Sequence, residues 1–481
     1  MKSIARITGP IAAILIALLV DIPAHPHAPA MLGVAAWMAI WWISECVPIA
    51  FTALIPLIAF PLAGIVTGRE IAPRYVNSII FLFIGGFLIA QALERTGLHK
   101  RLALALLSRL HAGPLQLAAG FSLATALLSM WISNTATTML MVTIAMPLLT
   151  RLSEEHGREA LAPMATAFLL VIAYSANIGG MGTPVGTAPN LVFLEAVRAH
   201  APELMPSFLQ WMTVGIPMVI TGLIVLFLVL GPQLARLPWK TSDADSIHAE
   251  RAALGPMRRE EKIVAWVLFL TAMAWMSRKG IHAESFTLPG WASLLPYKGV
   301  DDGTVAIFGA AWLFLLRGNH GKSVLNSESF LKLPWDIVLL LGGGFALAYG
   351  MQHAGASAWL GTQLEFLADL PVPLMMLGIA LVMTFLTEIT SNTAITQVML
   401  PILAAAAIGN HMDLLLVLLP ATLSASCAFM LPVATPPNAI VFGTHQVSMH
   451  AMTRTGIKLN LMMVTVVTGI VLLFRPLLPG G

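Results

Sequence analysis

Long apolar runs recur along the whole chain, and short polar or charged stretches separate them. A helix needs roughly 17–25 predominantly apolar residues to cross a bilayer. The pattern therefore predicts eleven membrane-spanning helices, near residues 9–25, 29–45, 48–65, 78–96, 160–181, 206–231, 262–279, 303–317, 335–352, 412–433 and 456–476.

Two further apolar stretches, 114–150 and 371–408, are each interrupted in the middle by hydroxyl and amide side chains. We predict that each enters and leaves the membrane on one face, as a re-entrant hairpin. The N-terminus then lies in the cytoplasm and the C-terminus outside. This topology divides the 26 Lys and Arg residues into 19 inside and 7 outside, as the positive-inside rule requires. Treating the two stretches as ordinary single spans weakens that bias.

The composition agrees with a membrane protein. Of 481 residues, 58% are hydrophobic and only 10% are charged, whereas an average soluble chain has about 25% charged residues. The basic residues are dispersed through the loops, so no nucleic-acid partner is predicted. Lys2 and Arg6 precede the first apolar run, which we interpret as a retained helix because no clear signal-peptide cleavage site follows. Cys46 and Cys427 both lie in apolar surroundings, which argues against disulfides and cysteine metal sites.

Three short motifs recur in the two halves of the chain in the same order. An odd number of predicted spans separates the copies, so they should lie in opposite orientations, as in the inverted repeats of secondary transporters. The pairs are Gly85-Gly86-Phe87 with Gly343-Gly344-Phe345, Ser133-Asn134-Thr135 with Ser391-Asn392-Thr393, and Thr187-Ala188-Pro189-Asn190 with Thr435-Pro436-Pro437-Asn438.

These repeats divide the chain into four segments. Residues 1–27 form the first helix, and residues 232–261 form a charged cytoplasmic linker between the repeats. The first repeat, 28–231, contains scaffold helices to 113, hairpin 114–150, broken helix 160–199 and helix 206–231. The second repeat, 262–481, contains scaffold helices to 370, hairpin 371–408, broken helix 412–445 and the last helix 456–476.

The interrupted segments contain the candidate chemistry. Ser, Thr and Asn are good helix N-caps, so each hairpin tip is expected to begin a half-helix whose free N–H groups attract an anion. Carbonyl groups at the end of the preceding half suit a hard cation such as Na⁺. A single tip would favour a small-residue packing site, but two copies at matched repeat positions favour binding. The segment 174–190 is too rich in Gly and Pro to stay helical, and Pro432–Asn438 is its counterpart in the second half.

The lack of basic residues in these segments indicates that anion binding is coupled to cations. No Arg or Lys falls in the four interrupted elements, which are the hairpin tips 128–138 and 385–394 and the helix breaks 174–190 and 432–438. A helix terminus supplies only about half a charge. Bound cations would supply the rest, although exchange of one anion for another also remains open. Glu45 and Glu388 are the candidate carboxylates at membrane depth. Neither has an acidic neighbour, so the paired acids of a proton relay are not seen.

The paired motifs resemble those of the divalent anion:sodium symporter family, over nearly the whole chain. The resemblance rests on the two Ser-Asn-Thr tips, the Gly-x-x-Gly-Thr-Pro break at 179–184, the 427–442 run and Pro334-Trp335-Asp336 before Gly342. It implies an all-α polytopic protein that works as a homodimeric elevator, in which each protomer has a scaffold and a moving transport domain.

The resemblance also implies specific sites, with at least two bound Na⁺ ions. The first Na⁺ site would use Ser129, Ser133, Asn134 and Gly182, and the second would use Thr387, Thr390, Asn392 and Ala434. Substrate carboxylates would be held by Ser133, Asn134, Thr135, Ser391, Asn392 and Thr393, with Thr183, Pro184, Thr435 and Pro436 adjacent. Thr as the third residue of both tips resembles the dicarboxylate members more than the sulfate members.

The functional hypothesis is a carrier of the inner (plasma) membrane that imports C4-dicarboxylates (succinate, malate or fumarate) with Na⁺. Two alternatives remain open: a Na⁺-independent dicarboxylate exchanger, and a symporter of citrate or an inorganic oxyanion such as sulfate. An enzyme is disfavoured because no HExxH, GxSxG or Walker motif stands in a fitting context.

The inverted topology predicts opposite accessibility for two loop positions. Cysteines introduced at Arg151 and Asn410 are expected to react with an impermeant maleimide from the cytoplasmic and the outer side respectively. Labelling is measured in intact cells and in inside-out vesicles, with the parent protein as the control for Cys46 and Cys427. Reaction of both positions from one side would contradict the inverted repeat.

Overall fold

A computed structural model describes residues 2–109, 113–235, 245–283, 286–297, 299–319 and 321–480, and its elements are almost all helices. The first half contains α1 Lys2–Leu19, α2 Ala28–Ser44, α3 Ile49–Thr52, α4 Ile55–Leu62, α5 Gly68–Ile71, α6 Ser78–Thr96, α7 Leu98–Leu107, α8 Pro114–Ser129, α9 Asn134–His156, α10 Arg158–Gly180, α11 Ala188–His200 and α12 Phe208–Leu234.

The second half repeats much of this order. It contains α13 Asp245–Ala253, α14 Arg259–Arg278, α15 Asp302–Leu315, α16 Ser327–Leu331, α17 Trp335–His353, α18 Ala356–Gln363, α19 Val372–Ile389, α20 Asn392–Gly409, α21 Leu414–Ala425, α22 Pro436–Phe442 and α23 Met449–Phe474. Two three-residue strands, β1 Ile281–Ala283 and β2 Phe286–Leu288, pair in antiparallel fashion between α14 and α15.

The helices are those of a polytopic membrane protein, which confirms the predicted class. Eight of the described helices are long and apolar enough to cross a bilayer. The bent pair α17 and α18 makes a ninth if it is counted as one span. The predicted spans 29–45, 48–65, 303–317 and 412–433 contain shorter apolar helices, so the count of eleven crossings stays a prediction.

The internal repeat extends beyond the sequence motifs. The helices α7 and α18, which the apolar pattern did not predict, begin directly after Gly97 and Gly355. Both glycines adopt a left-handed conformation, with φ of 77° and 75°, which a side chain would strain. Each therefore turns the chain sharply at the end of α6 or α17. The opposite orientation of the two repeats stays a prediction.

The glycines of the first recurring motif join the two halves of the protein. A Cβ added to Gly85 on α6 would lie 2.5 Å from the backbone carbon of Ala306 on α15. A Cβ added to Gly343 on α17 would lie 2.5 Å from the carbonyl oxygen of Ala53, between α3 and α4. In each repeat the glycine-rich helix thus packs against backbone atoms of the other repeat. The backbones are so close that only glycine fits.

The predicted linker is partly folded onto the first half. Residues 236–244 lie outside the described residues, but α13 packs against α7, and the Arg251 guanidinium donates to Ser108 Oγ at 2.6 Å. Arg101 on α7 donates to Glu261 Oε1 at 2.9 Å and to the Leu254 carbonyl at 3.1 Å. These contacts fix the start of α14 against α7.

The close contact at Gly85 predicts that alanine at position 85 lowers the stability of the protein much more than alanine at position 86. Gly85→Ala is expected to destabilise the protein by about 1–3 kcal/mol, because the added methyl group overpacks the α6–α15 contact. Gly86→Ala is the matched control, since its Cβ would meet Val185 at an ordinary 3.5 Å. The measurement is the melting temperature of the detergent-purified protein. Equal melting temperatures for the two variants would contradict the close contact.

Candidate functional site

The hairpin tips and helix breaks of both halves meet around one cavity of about 900 Å³. Its wall contains the starts of four helices, two from each half: Ser133–Thr135 at α9, Thr187 and Ala188 at α11, Ser391–Thr393 at α20, and Thr435–Pro437 at α22. The structure thus brings together the two tips that the sequence analysis assigned to one substrate site.

Helix starts give this cavity a surface suited to anions. The helices α9, α11 and α20 have 23, 13 and 18 residues, long enough to develop a partial positive charge at the N-terminus. The amide nitrogens Nδ2 of Asn134 and Asn392 have no acceptor among the described residues, and both residues line the cavity. Amide N–H groups and helix starts together can receive carboxylate oxygens.

At the cavity, elements of each half pack against elements of the other half. The helix α9 packs against α22, and α20 packs against α11, so each tip contacts the helix break of the other half. The Asn177 amide donates to Thr435 Oγ1 at 3.1 Å, and the same hydroxyl oxygen accepts the Asn438 N–H at 3.3 Å. With both lone pairs used, the Thr435 hydroxyl has its own hydrogen left to donate into the cavity.

A small oxygen cluster lies behind each tip. Ser129 Oγ lies 2.6 Å from Asn134 Oδ1 and 2.8 Å from the Ala176 carbonyl. Thr387 Oγ1 lies against Asn392 Oδ1 and 2.9 Å from the Ala425 carbonyl. In each cluster three oxygens share a single hydroxyl hydrogen.

These two clusters occupy equivalent places in the two repeats. Each joins the end of the first hairpin arm, the start of the second arm and the last turns of the helix before the break. Three oxygens with only one hydrogen among them have lone pairs to spare. Such uncharged oxygen ligands suit a hard monovalent cation.

At each helix break, one buried asparagine side chain donates hydrogen bonds to two backbone carbonyls. Asn190 Nδ2 donates to the carbonyls of Gly180 and Thr183, at 3.0 and 2.8 Å. Asn438 Nδ2 donates to the carbonyls of Ala428 and Leu431, both at 3.0 Å. The side chains thereby donate to carbonyls at the points where the helices are interrupted, and non-helical backbone at membrane depth needs such partners within the protein.

Glu388 supports the second break in a way that the first half does not share. Its carboxylate accepts the backbone N–H groups of Phe429, Met430 and Leu431 at 2.7–3.1 Å and the Asn460 amide at 2.7 Å. The side chain is only 2% exposed. Met130 stands at the corresponding position of the first half, where its carbonyl accepts the Thr183 hydroxyl at 2.6 Å.

Charged side chains reach this cavity from other elements. Lys2, Glu45 and Asp336 are the charged residues among the described lining. They come from α1, the turn after α2 and the first turn of α17, whose ends the predicted topology places on the cytoplasmic side. The four interrupted elements contribute no Arg or Lys to the wall, as the sequence indicated.

The predicted site residues fall into three groups. Those on the cavity wall are Ser133, Asn134, Thr135, Thr390, Ser391, Asn392, Thr393, Ala434, Thr435 and Pro436. Ser129 and Thr387 lie behind the wall in the oxygen clusters. Gly182, Thr183 and Pro184 are buried in the first break and are not part of the lining.

The lining residues that the sequence analysis did not assign to the site include Asn177, Gly186 and Thr187 of the first break. The recurrence of Thr187-Ala188-Pro189-Asn190 was the available signal. Thr187 and Thr435 occupy the same position before their helices, with nearly identical dihedral angles of −149°, 149° and −142°, 149°. The first break therefore presents Thr187 to the cavity, four residues after Thr183.

The fold and the site define a membrane transporter, with broken helices and paired hairpins around a cavity lined by helix starts. The sequence profile described as "Sodium:sulfate symporter transmembrane region" matches residues 1–479. The chain therefore belongs to this family, the divalent anion:sodium symporters, and it is a transporter and not an enzyme.

Individual relatives agree with this assignment. The chain is 38% identical over 455 residues to the sodium-dependent dicarboxylate transporter SdcS of Staphylococcus saprophyticus, covering 93% of this chain and 86% of the relative. It is 35% identical over 459 residues to the SdcS protein of Staphylococcus aureus, with 94% and 86% coverage.

Two solved transporter structures share the fold. The Alcanivorax borkumensis YdaH transporter has a TM-score of 0.53 at 14% identity, over 87% of this chain and 89% of that chain. Neisseria gonorrhoeae MtrF has a TM-score of 0.52 at 12% identity, over 97% and 96%.

The Glu388 contacts predict a strong dependence of stability on that carboxylate. Glu388→Ala is expected to lower the melting temperature substantially, because each unsatisfied buried N–H group costs about 1–3 kcal/mol. Asp336→Ala is the control, since that carboxylate is exposed at the wall of the same cavity. The measurement is thermal unfolding in detergent. A Glu388→Ala variant as stable as the parent would contradict the role assigned to this residue.

Proposed function

We propose that the protein imports C4-dicarboxylates such as succinate, malate and fumarate, coupled to Na⁺ by an elevator movement. The observation that supports coupling most directly is the pair of oxygen clusters, at Ser129 and at Thr387. Each cluster contains an Asn whose Oδ1 faces the cation ligands while its Nδ2 is left for the anion. Cation and anion would therefore share the same two side chains.

The cation sites follow from these clusters. The first Na⁺ is assigned to Ser129, Ser133, Asn134 and Gly182, and the second to Thr387, Thr390, Asn392 and Ala434. Oxygen ligands are those that hard cations prefer. The Thr390 hydroxyl donates to the Leu386 carbonyl at 3.0 Å, so its oxygen lone pairs and the Thr390 backbone carbonyl are the groups that can face Na⁺. The Ala176 and Ala425 carbonyls are further candidate ligands.

The substrate would lie between the two tips. Ser133, Asn134 and Thr135 would receive one carboxylate, and Ser391, Asn392 and Thr393 the other, with the Thr435 hydroxyl as an additional donor. Both relatives described above are named sodium-dependent dicarboxylate transporters, which supports a dicarboxylate over sulfate. Na⁺ ions beside the tips would offset the two negative charges, since helix starts alone supply only partial charge.

Transport by this scheme requires the hairpins and broken helices to move as a body. We assign α8–α12 and α19–α23 to that transport body, and the remaining helices to a scaffold that forms the homodimer. The protein would lie in the inner (plasma) membrane with a cytoplasmic N-terminus and an outer C-terminus. The cavity, whose mouth has Lys2, Glu45 and Asp336, would then be open to the cytoplasm.

The test is uptake of labelled succinate into proteoliposomes. An inward Na⁺ gradient is expected to drive uptake, and raising Na⁺ should tighten succinate binding with a Hill slope above one. K⁺ at equal ionic strength should do neither, because screening depends on ionic strength and not on ion identity. Na⁺-independent uptake only into vesicles preloaded with dicarboxylate would instead identify an exchanger. Competition by sulfate stronger than by malate would identify an oxyanion carrier.

Two variants test the site in the same assay. Asn134→Ala and Asn392→Ala each remove a proposed ligand to both ions, so transport should be lost while the protein stays folded. Because coupling is reciprocal, succinate affinity and Na⁺ affinity should fall together. Unchanged Na⁺ dependence in either variant would show that the corresponding cation site is misplaced.

A further inference from the structure

A second cavity, of about 470 Å³, lies at the other end of the helices that border the first. Its wall shares no residue with the main cavity. Asp336 in the first turn of α17 lines the main cavity, whereas Tyr349 and Gln352 near the end of α17 line the second one. Thirteen residues of helix separate Asp336 from Tyr349, a distance of about 20 Å.

The charge of the second cavity is opposite to that of the first. Its described wall contains two guanidinium groups, Arg74 and Arg198, and one carboxylate, Glu195. The formal charge is thus +1, compared with −1 for the Lys2, Glu45 and Asp336 of the main cavity. A concave wall with excess positive charge concentrates anions.

Both guanidinium groups are held in place. Arg198 donates to the Glu195 carboxylate through Nε and Nη2, both at 2.7 Å, which leaves Nη1 without an acceptor among the described residues. Arg74 lies over the Tyr349 ring, with its central carbon 3.9 Å from the ring centroid. Within the described residues Arg74 forms no hydrogen bond or ion pair, so its N–H edge remains available.

We propose that this cavity is a second anion site, which takes a small dianion such as a dicarboxylate between Arg74 and Arg198. Guanidinium groups bind carboxylates through paired, charge-assisted hydrogen bonds. The site would lie on the outer face, where the predicted topology places both arginines. This second site deepens the proposed transport function and rests on it for the identity of the natural ligand and for the effect on transport.

The two arginines belong to different parts of the proposed elevator. Arg74 lies between α5 and α6 and rests on Tyr349 of α17, all in the assigned scaffold, whereas Arg198 lies on α11 in the transport body. A dianion that bridges them stabilises the present arrangement, in which the main cavity opens at the opposite end. High external dicarboxylate should therefore slow transport.

Labelling of single cysteines can separate the two cavities. Gln352→Cys reports on the second cavity and Val433→Cys on the main one; both parent residues are exposed on their cavity walls. In K⁺ medium without Na⁺, succinate and sulfate are expected to slow maleimide reaction at position 352 and not at 433. Acetate at equal ionic strength should protect neither position. In Na⁺ medium succinate should protect both.

Arginine variants test the assigned ligands. Arg74→Gln should raise the succinate concentration needed to protect position 352 roughly ten- to hundredfold, the loss expected for a charge-assisted hydrogen bond. Arg69→Gln makes the same charge change on α5, outside the cavity, and should leave protection intact. The double variant Glu195→Gln/Arg198→Gln removes the pair without changing net charge and should also lose protection at 352.

The outcomes distinguish this proposal from the transport function. Protection at 352 without any Na⁺-dependent protection at 433 would keep the second site and overturn the symport scheme. Protection by acetate equal to that by succinate, or equal losses in Arg74→Gln and Arg69→Gln, would reduce the effect to general electrostatics and overturn the second site. Absence of protection at 352, at succinate concentrations that protect 433 in Na⁺, would also overturn it.

Discussion

Backbone groups that are interrupted at membrane depth must find partners inside the protein, since hydrocarbon offers none. This constraint applies to the two hairpin tips and the two helix breaks around the main cavity. Asn190 and Asn438 each take up two carbonyls of their break, and Glu388 takes up three N–H groups. With the backbone of the breaks bonded in this way, the Nδ2 groups of Asn134 and Asn392 at the tips remain without an acceptor among the described residues.

The two halves use partly different groups to bond the interrupted backbone around the cavity. Ser129 and Thr387 stand at equivalent positions and make equivalent contacts, to an Asn of the tip and a carbonyl before the break. Glu388 and Met130 are also equivalent, but one contributes a buried carboxylate and the other a backbone carbonyl. The second break therefore has a buried carboxyl group near the oxygen cluster at Thr387, and the first break has no such group near Ser129.

Much of this arrangement could be predicted from the sequence, because polar residues that interrupt apolar runs are conspicuous. The hairpins, the recurring motifs and the convergence of Asn134 with Asn392 follow from that signal. The helices α7 and α18 gave no such signal, since they are short and follow directly after other helices. The first break contains two Thr-led segments, at 183 and 187, and only the folded structure shows that Thr187 is the one that lines the cavity. The partners of Glu388 are more than forty residues distant in sequence, so the sequence could not reveal them.

The interlocked glycine contacts also constrain how the protein is made. Gly85 on α6 has its packing partner, Ala306, on a helix of the second half. At synthesis rates of 5–20 residues per second, α15 follows α6 by on the order of ten seconds or more. Throughout that interval the narrow groove around Gly85 is in contact with lipid or with other proteins of the insertion machinery. The contact between α6 and α15 therefore forms only after the second half is made, and a chain that stops between the two halves leaves α6 without this packing partner.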